Sequence, residues 1–362
     1  MKVAYYYCQD RLPKGHSKTN PYGPSLVEAM EKLGVEFEFS ERFDASWLIG
    51  RRREIQILHL NWPSYEYKRF REGDSLSRVV RLWTKFVGRL ALARFLGYRL
   101  VWTMHNLYPH DIRYQYLDHL GRLVLCTLCS AIIVHCEYAR GLAARRFGRH
   151  CHVHVIPHGH FIDVYRDDVS PRQAREWLGI PSSSFVYLFF GSVQSYKGIR
   201  NLIRTFRTLH GMELRLIIVG ASVGSYAREV QAEADTERRI IVRLSSRTPS
   251  DELQYFFNAA NVVVLPFVSM LTSGTVVLAL SWKKPVIVPA LGCLPELMTR
   301  EMGILYNPDD KDALRNAMLD IQTRDCRRMG EQGFKRIHTF DWDEIAALTL
   351  KAYQGTSRRN CG

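Results

Sequence analysis

The segment Val262–Trp282 reads VVVLPFVSMLTSGTVVLALSW and carries no charged residue. Its length would allow it to cross a membrane, since about 20 apolar residues span a bilayer core. Its interior argues against a span, because Val262–Leu265 is a β-branched run of strand length that ends at Pro266. A polar turn, Thr272–Gly274, follows, and Thr275–Trp282 is long enough for about two helical turns. The segment is therefore interpreted as a strand, a loop and a helix, all buried.

The length and composition fit a folded, water-exposed protein of two domains. The chain has 362 residues, of which 46% are hydrophobic and 24% charged, and this balance is far from that of a disordered chain. So many residues exceed one ordinary core and suit two α/β domains. The start, MKVAYYYCQD, does not resemble a signal peptide, so the sequence predicts a cytoplasmic location.

Short apolar runs alternate with helix-like segments along both halves of the chain. In the first half the runs are 3–7, 55–60, 100–104 and 131–134; in the second they are 186–190, 214–219, 240–244, 262–265 and 286–288. A polar stretch at 161–184 separates the two series. Alternation of this kind predicts two doubly wound, Rossmann-like α/β domains with parallel sheets, facing each other across a cleft. Ligands of such sheets bind at the carboxyl ends of the strands.

Basic residues are concentrated in a helix-like segment of the first half. The formal net charge of the chain is +14, and residues 75–110 contain no Asp or Glu. Arg78, Arg81, Lys85 and Arg89 recur at helical spacing, which predicts a basic, amphipathic helix. Three interpretations stay open: a solvated helix face, contact with an anionic membrane surface or lipid phosphate, and binding to nucleic acid. No zinc-finger or RNP-like pattern supports the third, so no nucleic-acid partner is predicted.

The cysteines and histidines give weak metal signals. Cys126 and Cys129 form a CxxC within an apolar run, but no second pair follows at zinc-ribbon spacing, which favours core residues. Five histidines fall within residues 150–160, yet no cysteine or carboxylate pair completes a ligand set. The sequence therefore predicts no metal site and no cofactor.

The strand ends of the second half carry groups suited to a phosphate. Gly191 follows the run 186–190, and Lys197 and Gly198 stand at the start of the next helix-like segment. A lysine beside the free amides of a helix start suits an anion. Thr272–Gly274 opens a second such helix, so two helix starts could share a diphosphate. Neither a Walker loop nor a GxGxxG fingerprint is present.

The order of these motifs resembles that of GT-B glycosyltransferases of the family-4 type. The resemblance is carried by GSVQSYKG, LRLIIVG, DELQYFFNAANVVVLP, SGTVVLALSWKKPVIVP and GILYNPDD in the second half. HLNWP, WTMHN and VIPHG stand at strand ends of the first half, and FDWDEIAALTLKAY is similar to the last helix of that fold. The resemblance implies an acceptor-binding domain at 1–163, a nucleotide-sugar-binding domain at 164–340, and a helix at 341–362 that crosses back to the first domain.

The resemblance also implies a set of site residues. His105 would lie against the donor sugar, and Lys197 and the backbone at Ser273 and Gly274 would hold the diphosphate. The donor set implied is Gly191, Ser192, Gln194, Lys197, Gly220, Arg247, Thr248, Thr272, Ser273, Gly274, Thr275 and Glu296. The residues implied at the acceptor or the cleft are Tyr22, Gly23, Asn61, Asn106 and His158.

Three departures from the family pattern bear on the mechanism. The two glutamates of the EX7E motif fall on Leu271 and Ala279, and Ser192 stands where many members have an arginine. The stereochemical outcome therefore stays open. An inverting transfer needs a general base, for which Asp111 is the first candidate and Glu137 the second. A retaining transfer would instead depend on electrostatic stabilisation of the leaving diphosphate.

The function predicted is transfer of a sugar, as a hexosyl- or glucuronosyltransferase, from a nucleotide-sugar to a glycan or lipid-linked acceptor. A UDP-sugar is the default donor, and the basic helix suggests exopolysaccharide or envelope assembly at the inner face of a membrane. Two alternatives stay open: a GT-B nucleotide-sugar epimerase or isomerase that needs no acceptor, and a non-catalytic sugar-nucleotide or membrane-surface binder.

Overall fold

The computed structural model describes residues 1–7, 20–40, 44–67, 75–109, 114–221, 224–245 and 248–355. The chain divides into two compact units. Unit 1 comprises Met1–His158 and Trp342–Gly362, and unit 2 comprises Gly159–Asp341. The sequence analysis predicted boundaries at 163/164 and at 340/341, a few residues from these.

Unit 1 is built on a six-stranded parallel sheet. Its strands are β1 (Lys2–Tyr7), β2 (Glu36–Ser40), β3 (Ile57–Asn61), β4 (Arg99–Thr103), β5 (Ala131–Val134) and β6 (Val153–Val155). They lie in the order β2-β1-β3-β4-β5-β6, so the first strand has neighbours on both sides. Its helices up to residue 158 are α1 (Tyr22–Glu31), α2 (Ala45–Arg51), α3 (Leu76–Phe95), α4 (Gln115–Leu128) and α5 (Glu137–Phe147).

Unit 2 repeats this plan. Its strands are β7 (Phe185–Phe190), β8 (Leu214–Ala221), β9 (Ile240–Ser245), β10 (Val262–Val264), β11 (Val286–Pro289) and β12 (Gly303–Tyr306), in the parallel order β12-β11-β10-β7-β8-β9. Its helices are α6 (Pro171–Leu178), α7 (Ile199–Arg207), α8 (Ser225–Ala234), α9 (Leu253–Ala259), α10 (Gly274–Ser281), α11 (Leu294–Leu297), α12 (Ala313–Asp320) and α13 (Cys326–His338). The prediction of two doubly wound α/β domains is therefore confirmed.

The uncharged segment 262–282 folds as strand, loop and helix, as its sequence predicts. Strand β10 is fully buried at the centre of its sheet, and α10 is buried from Val276 to Ser281. The loop between them is less uniform, because Val268 is 68% exposed. Across the described ranges, none of the helices combines the length and the apolar character that a bilayer crossing requires.

Helix α14 (Trp342–Gln354) belongs to unit 1, although its residues follow unit 2 in the chain. Its Asp343 forms an ion pair with Lys32 just after α1, at 3.1 Å. At its other end the buried Tyr353 hydroxyl lies 2.6 Å from His59 Nδ1, and His59 Nε2 lies 2.7 Å from Thr103 Oγ1. This buried chain ties α14 to the middle of the unit 1 sheet.

The basic helix predicted at Arg78–Arg89 is present as α3, but its four cations are not equivalent. Val79, Phe86 and Leu90 are buried against the sheet, as an amphipathic helix requires. Arg78, Arg81 and Lys85 are exposed. Arg89 Nη1 instead lies 2.7 Å from Glu66 Oε2, whose side chain is only 7% exposed. This ion pair neutralises the charge of Arg89, so Arg89 does not act as a free cation of the predicted basic face.

The buried His59 generates a prediction about acid stability. Burial lowers the pKa of His59 to about 3, so the folded protein holds this ring neutral. Below its ordinary pKa of 6.5 the unfolded chain takes up a proton that the folded one refuses, so unfolding becomes easier as the pH falls from about 6.5 toward 3. Replacing His59 with Gln should reduce the slope of unfolding free energy against pH by about 1.4 kcal/mol per unit in that window.

The measurement is urea unfolding between pH 7.5 and 4.5. His150→Gln, which alters an exposed histidine of the same unit, is the control and should leave the slope unchanged. The prediction fails if His59→Gln and the wild type lose stability in parallel as the pH falls.

Candidate active site

In unit 2, two strand ends meet so closely that only glycine fits. Gly191 directly follows β7 and has a φ of +139°, and Gly220 lies near the end of the neighbouring β8. A Cβ on Gly220 would lie 1.7 Å from the carbonyl oxygen of Gly191, so a side chain there is sterically impossible without a backbone shift. The two glycines therefore let the strand ends pack closely at the carboxyl edge of the sheet, where a ligand of this fold class binds.

Lys197 brings a buried ammonium group to this edge. Its side chain is 9% exposed and packs between two rings, with Nζ 4.7 Å from the centroid of Phe267 and 5.3 Å from that of Tyr196. Among the residues that the structure describes, no carboxylate forms an ion pair with it. Burial lowers the pKa of Lys197 to about 8, which marks a cation that would gain from an anionic partner.

The start of α10 lies at the same place. A Cβ on Gly191 would lie 3.6 Å from Thr275 Oγ1 and 3.9 Å from Lys197 Nζ, so these two groups flank the same glycine. Ser273 caps the helix by accepting a hydrogen bond from the Val276 amide at 3.3 Å. Helix amides of the first turn and the positive end of the helix dipole favour an anion here. The predicted convergence of Gly191, Lys197 and the α10 start is therefore found.

The other predicted donor residues that the structure describes lie in loops after three strands of unit 2 and on α11. Ser192 and Thr272 are half-buried and Gln194 is exposed in the loops after β7 and β10. Glu296 is exposed on α11, and Thr248 is half-buried after β9. Arg247 lies outside the described residues.

The two EX7E positions are apolar and buried. Leu271 is 3% exposed, and Ala279, in the middle of α10, is fully buried. A glutamate carboxylate at either position would be buried, and its desolvation would cost free energy. The structure around Leu271 and Ala279 therefore favours apolar side chains.

In unit 1, a buried cluster of rings forms at the carboxyl ends of β3, β4 and β5. His105 Nε2 lies 3.0 Å from Asn61 Oδ1, and His105 Nδ1 lies 3.2 Å from His135 Nε2. His135 Nδ1 in turn donates to the Ile156 carbonyl at 2.9 Å. Burial lowers the pKa of His105 well below its usual range and that of His135 to about 4, and the neighbouring histidines lower that of His105 further.

Aromatic rings enclose His105. Trp62 stacks on it with centroids 4.3 Å apart and planes inclined by 15°, and Tyr22 meets it edge-on at 4.9 Å. Trp62 adopts a left-handed conformation with a φ of 45°, a strained state for a residue that precedes a proline. His158 completes the group, with its ring 4.8 Å from Tyr22. Tyr22, Asn61, His105 and His158, predicted separately, are thus brought together.

The Tyr22 side chain is connected to the buried chain of hydrogen bonds that reaches α14. Its hydroxyl bonds to the side chain of Thr103, whose oxygen also contacts His59. Burial raises the pKa of Tyr22 far above its usual range, so this hydroxyl stays protonated. The sequence motifs do not single out Trp62, Thr103, His59 or His135 as site residues. HLNWP contains His59 and Trp62 and WTMHN contains Thr103, whereas His135 stands in neither motif.

The remaining unit 1 candidates differ in their placement. Gly23 is buried in α1 and Asn106 is half-buried after β4. Asp111, the first candidate for a general base, lies outside the described residues. Glu137, the second, is exposed at the start of α5 and forms an ion pair with Arg140 at 2.6 Å.

The described ranges contain no cluster of three or more histidine, cysteine or acidic side chains that could hold a metal ion. Cys126 and Cys129 are buried free thiols, as expected of core residues. Burial raises the pKa of Cys126 to about 12, which keeps it an inert thiol.

Together these features define a two-unit α/β protein whose second unit holds a buried lysine at the carboxyl edge of its sheet and whose first holds a buried ring cluster. Comparison with known proteins identifies the class. Residues 184–324 match the family model described as glycosyl transferases group 1, and residues 78–164 match the model described as glycosyltransferase family 4. The chain belongs to this glycosyltransferase family and has its GT-B fold.

Relatives with known names cover most of the chain. A GDP-mannose:glycolipid 4-β-D-mannosyltransferase of Xanthomonas campestris is 26% identical over 350 residues, which are 94% of this chain and 89% of that enzyme. A D-inositol 3-phosphate glycosyltransferase of Xylanimonas cellulosilytica is 30% identical over 72% of this chain and 67% of that enzyme.

Solved structures share the fold. A sucrose-phosphate synthase from Thermosynechococcus elongatus matches with a TM-score of 0.75 and 18% identity, covering 98% of both chains. Anabaena HepE in complex with UDP-glucose matches with a TM-score of 0.75 and 16% identity, covering 98% of this chain and 100% of that one.

Gly198, beside Lys197, gives a test of how tightly this edge is packed. Its φ is +71°, and a Cβ would lie 2.0 Å from the Pro266 carbonyl oxygen. Gly179 has nearly the same φ, +67°, but open space around it. Both Gly→Ala variants incur the left-handed strain of roughly 1–2 kcal/mol, but Gly198→Ala should lose about 1–3 kcal/mol more through the clash.

Urea unfolding of the two variants measures this difference, with Gly179→Ala as the matched control. Equal losses in the two variants would contradict the packing described here.

Proposed function

We propose that the protein transfers a sugar from a nucleotide-diphosphate-sugar bound by unit 2 to a glycan or lipid-linked acceptor bound by unit 1. The single observation that carries this is Lys197, a buried ammonium at a strand end that no described carboxylate neutralises. Beside it stand two backbone-exposing features, Gly191 and the first turn of α10. This is the set of groups that a pyrophosphate requires.

The same groups would serve the chemistry. When the bond between sugar and diphosphate breaks, negative charge grows on the leaving diphosphate. Lys197 and the α10 amides are already oriented at the sheet edge, so they would stabilise this charge with little reorganisation. The low exposure of Lys197 strengthens its interaction with an anion, since water screens it less.

Two donors are proposed, in order. A UDP-sugar comes first, in keeping with the sequence resemblance and with the fold shared with HepE in complex with UDP-glucose. A GDP-sugar is the second candidate, because the Xanthomonas relative that covers 94% of the chain is described as using GDP-mannose. Either donor would make the enzyme a hexosyltransferase, or a glucuronosyltransferase if the sugar is an acid.

The proposed acceptor is lipid-linked, as in exopolysaccharide or envelope assembly at the inner face of a membrane. The name of the same Xanthomonas relative includes a glycolipid acceptor. On this chain Leu76 and Val80 of α3 are exposed to 60% and 41%, and Tyr116 and Leu120 of α4 to 89% and 46%. Trp83 joins the two helices by donating to the Leu117 carbonyl at 2.9 Å.

These apolar side chains lie on the same two helices as the exposed cations of α3. We define this surface, Leu76, Val80, Tyr116 and Leu120 with Arg78, Arg81 and Lys85, as the α3–α4 surface. Exposed apolar and basic side chains on the same helix match the interface of an anionic bilayer, where each nearby cation contributes about 1 kcal/mol.

One prediction from this proposal concerns donor binding. Loss of one charge-assisted hydrogen bond costs about 1.5–3 kcal/mol, so Lys197→Ala should weaken UDP-sugar or GDP-sugar binding by about 10- to 100-fold. Because the pKa of Lys197 is about 8, the wild-type affinity should fall as the pH rises from 7 to 9, since the ammonium form is lost. The variant should lose this pH dependence.

Isothermal titration at several pH values measures both effects. Lys311→Ala, an exposed lysine of the same unit, is the control and should bind as the wild type does. Unchanged donor affinity in Lys197→Ala would overturn the proposed donor site.

The second prediction concerns acceptor and membrane. Transfer of label from the donor should require an added lipid-linked acceptor and should be faster on vesicles with anionic lipid than on neutral ones. Replacing Arg78, Arg81 and Lys85 with Gln should lower vesicle binding by about 3 kcal/mol, or roughly 100-fold. The double control Arg145→Gln and Arg146→Gln alters exposed cations of α5 and should have little effect.

Three results would contradict the proposal in distinguishable ways. Conversion of the donor without any acceptor would indicate an epimerase. Donor binding with neither transfer nor conversion would indicate a binding protein. Equal binding to neutral and anionic vesicles would remove the membrane part while leaving the transfer part intact.

A further inference from the structure

The hydrogen bonds of the ring cluster in unit 1 must run in one direction. The Ile156 carbonyl can only accept, so His135 Nδ1 carries the proton in that bond. A neutral imidazole has one N–H, which leaves His135 Nε2 as an acceptor. The contact of 3.2 Å between His135 Nε2 and His105 Nδ1 is then a hydrogen bond only if His105 Nδ1 donates.

This direction determines the other side of His105. With its proton on Nδ1, a neutral His105 has an acceptor at Nε2, so the group 3.0 Å away on Asn61 must be a donor. With Asn61 Oδ1 at that position, two acceptors would face each other, while Asn61 Nδ2 is buried without a hydrogen-bond partner. Oxygen and nitrogen of a carboxamide occupy nearly the same volume, so the surrounding network decides which faces His105.

Turning the Asn61 amide resolves both conflicts at once. Its NH2 group then donates to His105 Nε2, and the carbonyl takes the unpartnered position, which costs less than an orphaned donor. The buried chain becomes continuous: Asn61 donates to His105, His105 to His135, and His135 to the Ile156 carbonyl.

We propose that His135 is a positioning residue that fixes His105 as its Nδ1–H tautomer, with Asn61 holding the opposite nitrogen as a donor. His135 acts on His105 through their direct contact, and the chain that includes it ends on the β6 side of the sheet. In the sugar transfer proposed above, His105 is then a rigid, neutral ring held between Trp62 and Tyr22 and not a proton carrier. That last consequence rests on the proposed function, whereas the tautomer does not.

The energetic setting supports a neutral pair. Burial and the nearby rings of His135 and His158 lower the pKa of His105, and burial lowers that of His135 to about 4. An extra proton shared between the two rings would permit the opposite amide orientation, but it would place a charge among buried aromatic groups. The neutral, directed chain avoids this cost.

The test is nitrogen NMR of the ligand-free, full-length protein with 15N-labelled histidine at pH 7.5. Long-range proton–nitrogen correlations distinguish the two neutral tautomers from imidazolium, and His105→Gln identifies the His105 signals by their loss. We expect His105 as the Nδ1–H tautomer in the wild type. Finding it as the Nε2–H tautomer or as imidazolium would overturn the proposal.

Three variants test the direction of the chain. His135→Gln, whose amide can accept from His105 and donate to Ile156, should keep the tautomer, and His135→Leu should release it to a mixture. Asn61→Asp offers only acceptors, so it should reverse His105 to Nε2–H and favour a shared proton. An unchanged His105 tautomer in His135→Leu would contradict the role assigned to His135, and an unchanged tautomer in Asn61→Asp would contradict the role assigned to Asn61.

The wild-type spectrum and Asn61→Asp keep the proposal testable if His135→Leu does not fold. Because all these spectra are taken without nucleotide, failure of the donor prediction for Lys197 would not change their outcome. The two proposals can therefore fail separately.

Discussion

A buried ammonium group that no described carboxylate neutralises is the constraint on which the second unit depends. Placing a lysine under two aromatic rings carries a desolvation cost, which lowers its pKa to about 8. The backbone around Lys197 is closely packed. Gly220 packs against the Gly191 carbonyl, and Gly198 packs against the Pro266 carbonyl. A rigid edge of this kind can keep Lys197 in place before any anion arrives, which is what preorganised recognition requires.

Central strands were predictable from the sequence, and edge strands mostly were not. β1, β3, β4 and β5, and β7, β8, β10 and β11, are buried and appear as apolar runs, because interior strands of parallel sheets are covered on both faces. The three strands that are absent from the apolar runs, β2, β6 and β12, all lie at sheet edges. β2 reads EFEFS and β6 only VHV, since an edge strand needs fewer apolar side chains. β9, also at an edge, was found because IIV precedes its polar residues.

Site residues that come directly after one strand could be predicted from the sequence. Site residues that meet only because two strands pair in a particular register could not. Gly191 and Lys197 come after a single strand, so their placement near a ligand edge needs only the fold class. His135 lies 30 residues from its partner His105, and only the parallel register of β4 and β5 brings their ends together. Trp62 follows Asn61 directly, but its position over His105 depends on a left-handed backbone conformation that the sequence does not predict. Arg89 shares the helical spacing of the other three cations of α3, so the sequence does not distinguish it from them. Only the fold brings Glu66, 23 residues earlier, to the position where it neutralises Arg89.

The apolar EX7E positions bear on the electrostatics of unit 2. With Leu271 and Ala279 buried and uncharged, neither position places a carboxylate near Lys197, so neither offsets the positive charge at that edge. Its affinity for a diphosphate should therefore rest on one titratable cation and on helix amides, which do not titrate. Unit 1 is built the opposite way: its histidines are kept neutral by burial, and their order comes from the direction of hydrogen bonds. The candidate site of unit 2 thus centres on a charged group, while the ring cluster of unit 1 is neutral and is ordered by the chain from Asn61 to Ile156.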